Sequence, residues 1–271
     1  MIVHSSLRDV VVIEGPEAVP YLQGQISQGV EDMAEGESRW SFCLEPQGKI
    51  EGFFRITRIK PDLLIADTGE GLGEAVKASM ERFKLGTKVG FEVTRRTMVS
   101  VREGSASDIE RTQWRLDLGW PGIEGTDLLL HKDAAGIPDS VSDEEWAQWK
   151  ISHGVPSVGV DIPIGGIPNE TGLTEFACSF TKGCYRGQEL VERIDSRGGQ
   201  RMVLRRLEAE VGDEAVVVGS AVRDNDGGEV GRVTSTAGDW SLAYVRGAVD
   251  LDSVVNIEGG ATASVRPLLI S

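Results

Sequence analysis

Only 3 cysteines occur in the 271 residues. An odd, sparse set of this kind excludes a disulfide framework and fits a reducing compartment. Positive charge is also short: 28 Lys and Arg against 43 Asp and Glu leave a net charge of -15. Such a chain repels nucleic acid and anionic membranes except where its basic residues cluster, so neither DNA nor a membrane is expected among its partners. No apolar run reaches the roughly 18 residues of a membrane-spanning helix. The opening MIVHSSLRDVVVIEG lacks the basic-then-apolar order of a secretory signal. The expectation is a cytoplasmic protein. The 3 histidines have no paired ligand spacing, Cys178 and Cys184 are separated by five residues, and Cys43 is remote, so no metal site is read. Internal repeats, low-complexity tracts and coiled-coil heptads are missing as well.

The length that is present exceeds one average domain and allows two structural units. VVVIEG reads as a strand, followed by a helix from about Pro16 to Gln28 whose Val19, Leu22, Ile26 and Val30 recur at helical spacing. SRWSFCL, KIEGFFRITRI and DLLIADT read as strands separated by the turns EPQG and KPD. A second helix is predicted from about Gly71 to Lys84 along Leu72, Val76, Met80 and Phe83, with Gly86 as its stop. Residues 89–131 are strand-rich again, which gives the rhythm of a ferredoxin-like α+β unit. Ser142 and Glu145 match a capping box opening a third helix that ends at Gly154. The Gly- and Pro-rich GVPSVGVDIPIGGIPNETGL must be largely loop, and loops of that length are functional or disordered. A short helix is predicted from about Gln188 to Ser196. From about residue 200, alternating runs between Gly and Asp or Asn turns predict a small β-barrel or sandwich.

LLIADTGEGLGEAVKASM imitates a dinucleotide fingerprint, with Glu92 about 20 residues on. Glu74 occupies the third-glycine position, where its charge would oppose a pyrophosphate, and hairpins rather than βαβ crossovers surround it. A turn and helix cap is the better reading. The informative stretch is SFTKGCYRGQELVERIDSRG, residues 179–198. Cys184 has Lys182 and Arg186 two positions away on either side, and both favour a thiolate, as does a helix start just beyond. Gly183 and Gly187 allow a sharp turn or a close approach; Gln188, Glu189 and, a turn later, Arg193 add hydrogen-bonding groups. Cys43 and Cys178 lie in apolar contexts and read as packing residues. On residue types alone, a chance cysteine on a solvated helix competes with function, as does a Cys–His hydrolase using His131 or His153.

KGCYRGQE, residues 182–189, resembles the signature of the YgfZ family of folate-binding proteins, relatives of the glycine-cleavage T protein, an aminomethyltransferase. YLQGQISQGV, LEPQGKI, GVDIPIGGIPNETGL, GEVGRVTS and LAYVR match in order, so the resemblance spans almost the whole chain. It implies an α+β, T-protein-like folate-binding fold: residues 1–199 as two ferredoxin-like subdomains and 200–271 as a C-terminal β-barrel around a central folate site. It also implies binding of tetrahydrofolate or a related reduced folate, and a role in assembling or maintaining iron–sulfur clusters in client enzymes. Lys182, Gly183, Cys184, Tyr185, Gly187, Gln188 and Glu189 match the signature one for one, and Arg193 matches the arginine that follows it. Glu170 lies in the matching loop before the signature, and folate is expected on that loop and on 182–189.

The departures from the T protein separate two chemistries. The T protein's catalytic aspartate lies in a Gly-X-X-Asp-Asp stretch, where GKIEG here offers only Glu51 followed by Gly52. Its Arg-X-Glu-X-Gly segment corresponds to KISHG, so Ser152 replaces the glutamate. The resemblance therefore implies an accessory factor with Cys184 as its key residue, a thiolate being a natural soft ligand for iron. On this reading Lys182 and Arg186 steady the thiolate or attract the folate's glutamate tail, Tyr185 stacks on a flat ring, and Glu189 orients its neighbours. The alternatives are a folate-dependent one-carbon transferase with Glu51 as its acid, and a binding module for another ligand.

Overall fold

The computed structural model describes residues 1–104, 111–132, 134, 139–197, 202–210 and 214–270. Contacts divide the chain into two compact units, Met1–Val141 with Glu175–Glu192, and Ser142–Thr174 with Arg193–Ser271. The grouping is not collinear with the chain, because the segment 142–174 goes with the C-terminal residues rather than with those before it.

The first unit is built on a seven-stranded sheet of order β2-β3-β4-β1-β5-β7-β6. Its strands are β1 (Ile2–Glu14), β2 (Ser38–Leu44), β3 (Ile50–Lys60), β4 (Leu63–Gly69), β5 (Gly90–Arg102), β6 (Thr112–Asp117) and β7 (Gly125–Leu130). Every ladder is antiparallel, and the 13-residue β1 joins the two halves by pairing with β4 on one side and β5 on the other. A doubly wound parallel sheet around residues 63–93 is thereby excluded, and the dinucleotide pattern is a turn leading into a helix.

Two short helices, α1 (Ala18–Gln23) and α2 (Gly73–Glu81), cover one face. There Leu22, Ile26, Val76 and Met80 meet Val11, Ile13, Cys43, Phe54, Ile56 and Leu64, all of them buried. Each such aliphatic side chain contributes about 1.5–3 kcal/mol by leaving water. Both helices are shorter than their apolar spacing predicts. After Gly24 the chain is recruited by the edge of the sheet: Ile26 bridges Cys43 and the Ser27 N–H donates to Phe42 O at 3.0 Å. Ile26 and Val30 remain in the core without being helical. Past α2, Phe83 leaves the seam and is half exposed.

The opposite face holds an ion cluster. Fully buried Arg55 reaches Asp67 at 2.8 Å and Asp127 at 2.6 Å, and Arg102 reaches Asp127 at 2.8 Å. Burial would raise the Asp127 carboxyl, but the two guanidiniums override it and hold the group well below the ordinary carboxylate range.

The second unit starts at α3 (Asp143–Ser152), opened by the expected box: the Glu145 N–H donates to Ser142 Oγ at 3.2 Å and the Ser142 N–H to Glu145 Oε2 at 2.8 Å. The long loop follows, with one 3₁₀ turn at Pro168–Thr171, and α4 (Thr174–Ala177) leads back to the first unit. After α5 (Gln188–Arg197) come β8 (Met202–Ala209), β9 (Ala221–Arg223), β10 (Glu229–Ala237), β11 (Trp240–Arg246), β12 (Val254–Ile257) and β13 (Thr262–Arg266). They close into a barrel of order β10-β11-β8-β13-β12-β9, filled by Leu207, Val222, Val233, Ala243, Val255 and Val265 among others. Small β-branched side chains suit so narrow an interior. Among the described residues no helix is long and apolar enough to cross a membrane.

Candidate functional site

The signature is cradled by residues 23–28, the segment that α1 fails to absorb. Ser27 Oγ donates to Ala177 O at 2.6 Å and Gln28 Nε2 to Phe176 O at 3.0 Å. In return the Ser179 N–H donates to Ser27 O at 2.9 Å and the Arg186 N–H to Gly24 O at 3.2 Å. Carbonyls at a helix end have no partner within the helix, and they demand donors from elsewhere.

Lys182 supplies them. Its ammonium donates to the carbonyls of Gln23, Ile26 and Gln28 at 2.7, 2.7 and 2.8 Å, and stands 5.0 Å from the centre of the Tyr185 ring. Burial pulls its pKa down to about 8, with Cys178 and Glu31 acting against that. Arg186 is engaged in the same manner. Its Nε donates to Leu44 O at 2.6 Å, Nη1 to Ser79 O at 2.7 Å, and Nη2 to Ser79 Oγ at 2.5 Å and Glu51 Oε2 at 3.2 Å. The expectation that these two cations steady a thiolate or attract a folate tail is corrected here. Carbonyls at and just past the end of α1, at the end of β2 and in α2, with the Ser79 hydroxyl and Glu51, take all three donors of the ammonium and four of the guanidinium's five.

Tyr185 is also reassigned. It is 6% exposed, and burial, then Cys178, drives its hydroxyl far above the usual value. The ring is part of the core and is not free to stack on a ligand. The glycines divide. A Cβ at Gly187, which has φ +81°, would come 2.6 Å from Glu45 O and 2.7 Å from Leu44 Cβ; at Gly183 it would meet open space. Gln188 Oε1 accepts the Tyr185 N–H at 3.1 Å, while Nε2 donates to Glu192. Glu189 and Arg193 are exposed along α5. Between its two anchored cations, Cys184 is exposed, whereas Cys43 and Cys178 are buried and burial lifts the Cys43 thiol to about 11.

Glu51, the acid of the transferase alternative, is held at 2.5 Å by Arg82 and at 3.2 Å by Arg186, and accepts from Ser79 Oγ at 2.7 Å. Both carboxylate oxygens are thus engaged within the protein. Beside Lys182 lies a polar cavity of ≈ 240 Å³, lined by Gln23, Glu31, Asp32, Arg39 and Thr181 among others. Among the described residues no group of three or more His, Cys, Asp or Glu could hold a metal.

In the second unit, Glu170 follows the start of the 3₁₀ turn, half-buried, and burial raises its carboxyl. Ser152 Oγ donates to Trp149 O at 2.9 Å, and the neighbouring His153 ring stacks on Trp149 at 4.3 Å with its Nδ1 2.7 Å from Trp149 O.

No protein-family profile matches the chain. Individual relatives do. The tRNA-modifying protein YgfZ of Serratia proteamaculans is 25% identical over 314 residues, which covers 97% of this chain and 91% of that protein. The chain is similar to YgfZ proteins along most of its length. The YgfZ of Vibrio atlanticus is 24% identical over 222 residues, 76% of this chain and 68% of its own length. An uncharacterized protein of Haemophilus influenzae is 24% identical over 212 residues, 75% of this chain and 74% of its own. Among solved structures, the glycine cleavage system aminomethyltransferase T from Bartonella henselae superposes with a TM-score of 0.77, covering 98% of this chain and 86% of that one at 18% identity. The fold is that of the T protein, shared by this YgfZ relative across almost all of its length.

One residue of the loop shared with the YgfZ signature pattern escaped sequence reasoning. Asp161 is 1% exposed, and its carboxylate accepts from the Ser157 N–H at 2.8 Å, Thr234 Oγ1 at 2.6 Å and Ser235 Oγ at 2.7 Å. Tyr244 donates to its backbone carbonyl at 2.9 Å. The available signal was a lone acid inside the apolar run VGVDIPI.

Proposed function

We propose that this chain is an accessory factor that binds a reduced folate and serves iron–sulfur enzymes, or the proteins that assemble their clusters, through Cys184. The observation that carries the reading is the fate of the charged groups around 182–189. The carboxylate needed for one-carbon transfer, Glu51, is clamped by Arg82 and Arg186, while the Cys184 thiol is turned to solvent. A solvent-facing cysteine sulfur suits iron as a soft ligand. The T-protein fold and the YgfZ relatives favour folate as the small molecule. The residues present fit one: Glu170 is a half-buried carboxyl able to pair with the donor edge of a pterin, and the group it holds would supply one-carbon or redox chemistry when bound.

The relatives are named for tRNA modification. A net charge of -15 disfavours tRNA on this chain's surface outside any basic cluster, which favours a link that runs through a client enzyme. Three measurements test the reading. Titration calorimetry with tetrahydrofolate is expected to show saturable binding, and no heat with no thermal shift would refute it. In cells lacking the protein, wild type should restore iron–sulfur enzyme activities and Cys184→Ala should not. An aminomethyl transfer assay is expected to give no product; turnover abolished by Glu51→Gln would revive the transferase.

A further inference from the structure

A folate ends in a glutamate, and the two cations that the signature offers for its carboxylates are occupied. Unpaired positive charge lies elsewhere in the same unit. On the face of the sheet away from α1 and α2, Arg8 of β1 stands directly opposite Arg96 of β5. Strand alternation puts Arg55, Asp67, Asp127 and Arg102 on this face too. Like charges directly opposed across a ladder are unfavourable unless something neutralises them.

Nothing in the face does so completely. Asp67 is shared by Arg55 at 2.8 Å and Arg8 at 2.9 Å, and Asp127 by Arg55 at 2.6 Å and Arg102 at 2.8 Å. Three guanidiniums thus share two carboxylates, and Arg96 is a fourth on the same face. Among the described residues Arg96 receives none of them; its guanidinium stands 5.8 Å from the centre of the Trp114 ring. Glu92, the one acid of β5, lies on this face but is exposed and four residues away. Arg8 Nε, Arg96 Nε and the hydroxyl of Thr94 are buried without a hydrogen-bond partner. Buried donors of this kind call for an acceptor.

We infer that Arg96, assisted by Arg8, receives the glutamate carboxylate of the bound folate, with the Trp114 ring beside the aromatic ring to which that glutamate is joined. The inference rests on the folate reading above. A guanidinium with no internal acid can give a carboxylate two parallel hydrogen bonds, whereas Lys182 has all three donors engaged and Arg186 four of its five.

Calorimetry with tetrahydrofolate and with tetrahydropteroate, which lacks the glutamate, tests it. Wild type should bind tetrahydrofolate about tenfold more tightly, Arg96→Gln should erase that advantage without weakening tetrahydropteroate, and Arg96→Lys should keep part of it. If Arg96→Gln does not fold, p-aminobenzoylglutamate must compete with tetrahydrofolate on wild type where p-aminobenzoate does not; failure there overturns the inference. A tenfold advantage untouched in Arg96→Gln, or equal loss of both ligands, overturns it and leaves folate binding standing. Inorganic phosphate that stabilises wild type but not Arg96→Gln, with the folate advantage unchanged, reassigns the site to free phosphate and also overturns it. Absence of tetrahydrofolate binding to wild type removes the folate reading itself.

Discussion

The loops 154–173 and 176–187 are both irregular and glycine-containing, yet opposite charges hold them. The first is gathered by an anion: the Asp161 carboxylate collects one N–H and two hydroxyls. The second is gathered by cations: Lys182 and Arg186 distribute their donors among backbone carbonyls of α1, α2 and their surroundings. The difference follows from what each neighbourhood leaves unpaired. A barrel strand with a bulge, such as β10 between Val233 and Ser235, presents spare hydroxyl and N–H donors. Helix C-termini present spare carbonyls and a negative dipole end. Charged residues in a functional-looking loop can therefore be fastenings, and the group left facing outward is the candidate for chemistry.

The contrast can be broken from either side. Asp161→Ala should cost the most, about 3–5 kcal/mol, because it strips three part-buried donors of one buried, charged acceptor. Urea unfolding would measure it, and a loss under about 1 kcal/mol would mean that the anion does not hold its loop. Gly187→Ala should follow at about 2–3 kcal/mol, since φ +81° and a contact at 2.6 Å both oppose a Cβ, with Gly183→Ala inside about 0.5 kcal/mol as its control.

Lys182→Met should cost about 2 kcal/mol by leaving carbonyls without donors. Its pH signature sharpens the comparison. The folded ammonium titrates at about 8 against the ordinary lysine value of 10.5, so between those values the unfolded chain carries a proton that the folded chain has released. Stability should then rise with pH from 8 to 10.5 in wild type relative to Lys182→Met. Cys43, lifted from 9.0 to about 11, acts in the opposite sense above pH 9 in both proteins and cancels in the difference. A flat difference between the two would show that the ammonium is not desolvated. The smallest effect belongs to Cys184→Ala, within about 0.5 kcal/mol, because an exposed thiol packs against little. Alkylation at neutral pH with peptide mapping should label Cys184 ahead of Cys43 and Cys178; early labelling of Cys43 would contradict its burial.

Much of the architecture was legible in local pattern. The Ser142 box, the strands between turns, the barrel after residue 200 and the antiparallel character around residues 63–93 all depend on neighbours within a few positions. The exposure of Cys184 and the burial of Cys43 and Cys178 were legible from their contexts too. Helix lengths were not, because Ile26 fits a helical seam equally well whether it extends α1 or bridges Cys43, and only the edge of β2 decides.

The roles of charged residues were the least legible. From the sequence, Lys182 and Arg186 are two cations beside a thiol. Their donors go to carbonyls more than 100 positions away in the chain, and no spacing rule reaches that far. Arg96 drew no attention as a residue type, and it matters only because β1 sets Arg8 opposite it while both nearby aspartates are already shared. Apolar pattern and turn chemistry act locally and can be read from the chain. Whether a charge is a fastening or a site depends on which opposite charges and unpaired backbone groups the finished fold brings within about 3 Å, and that is settled only in three dimensions.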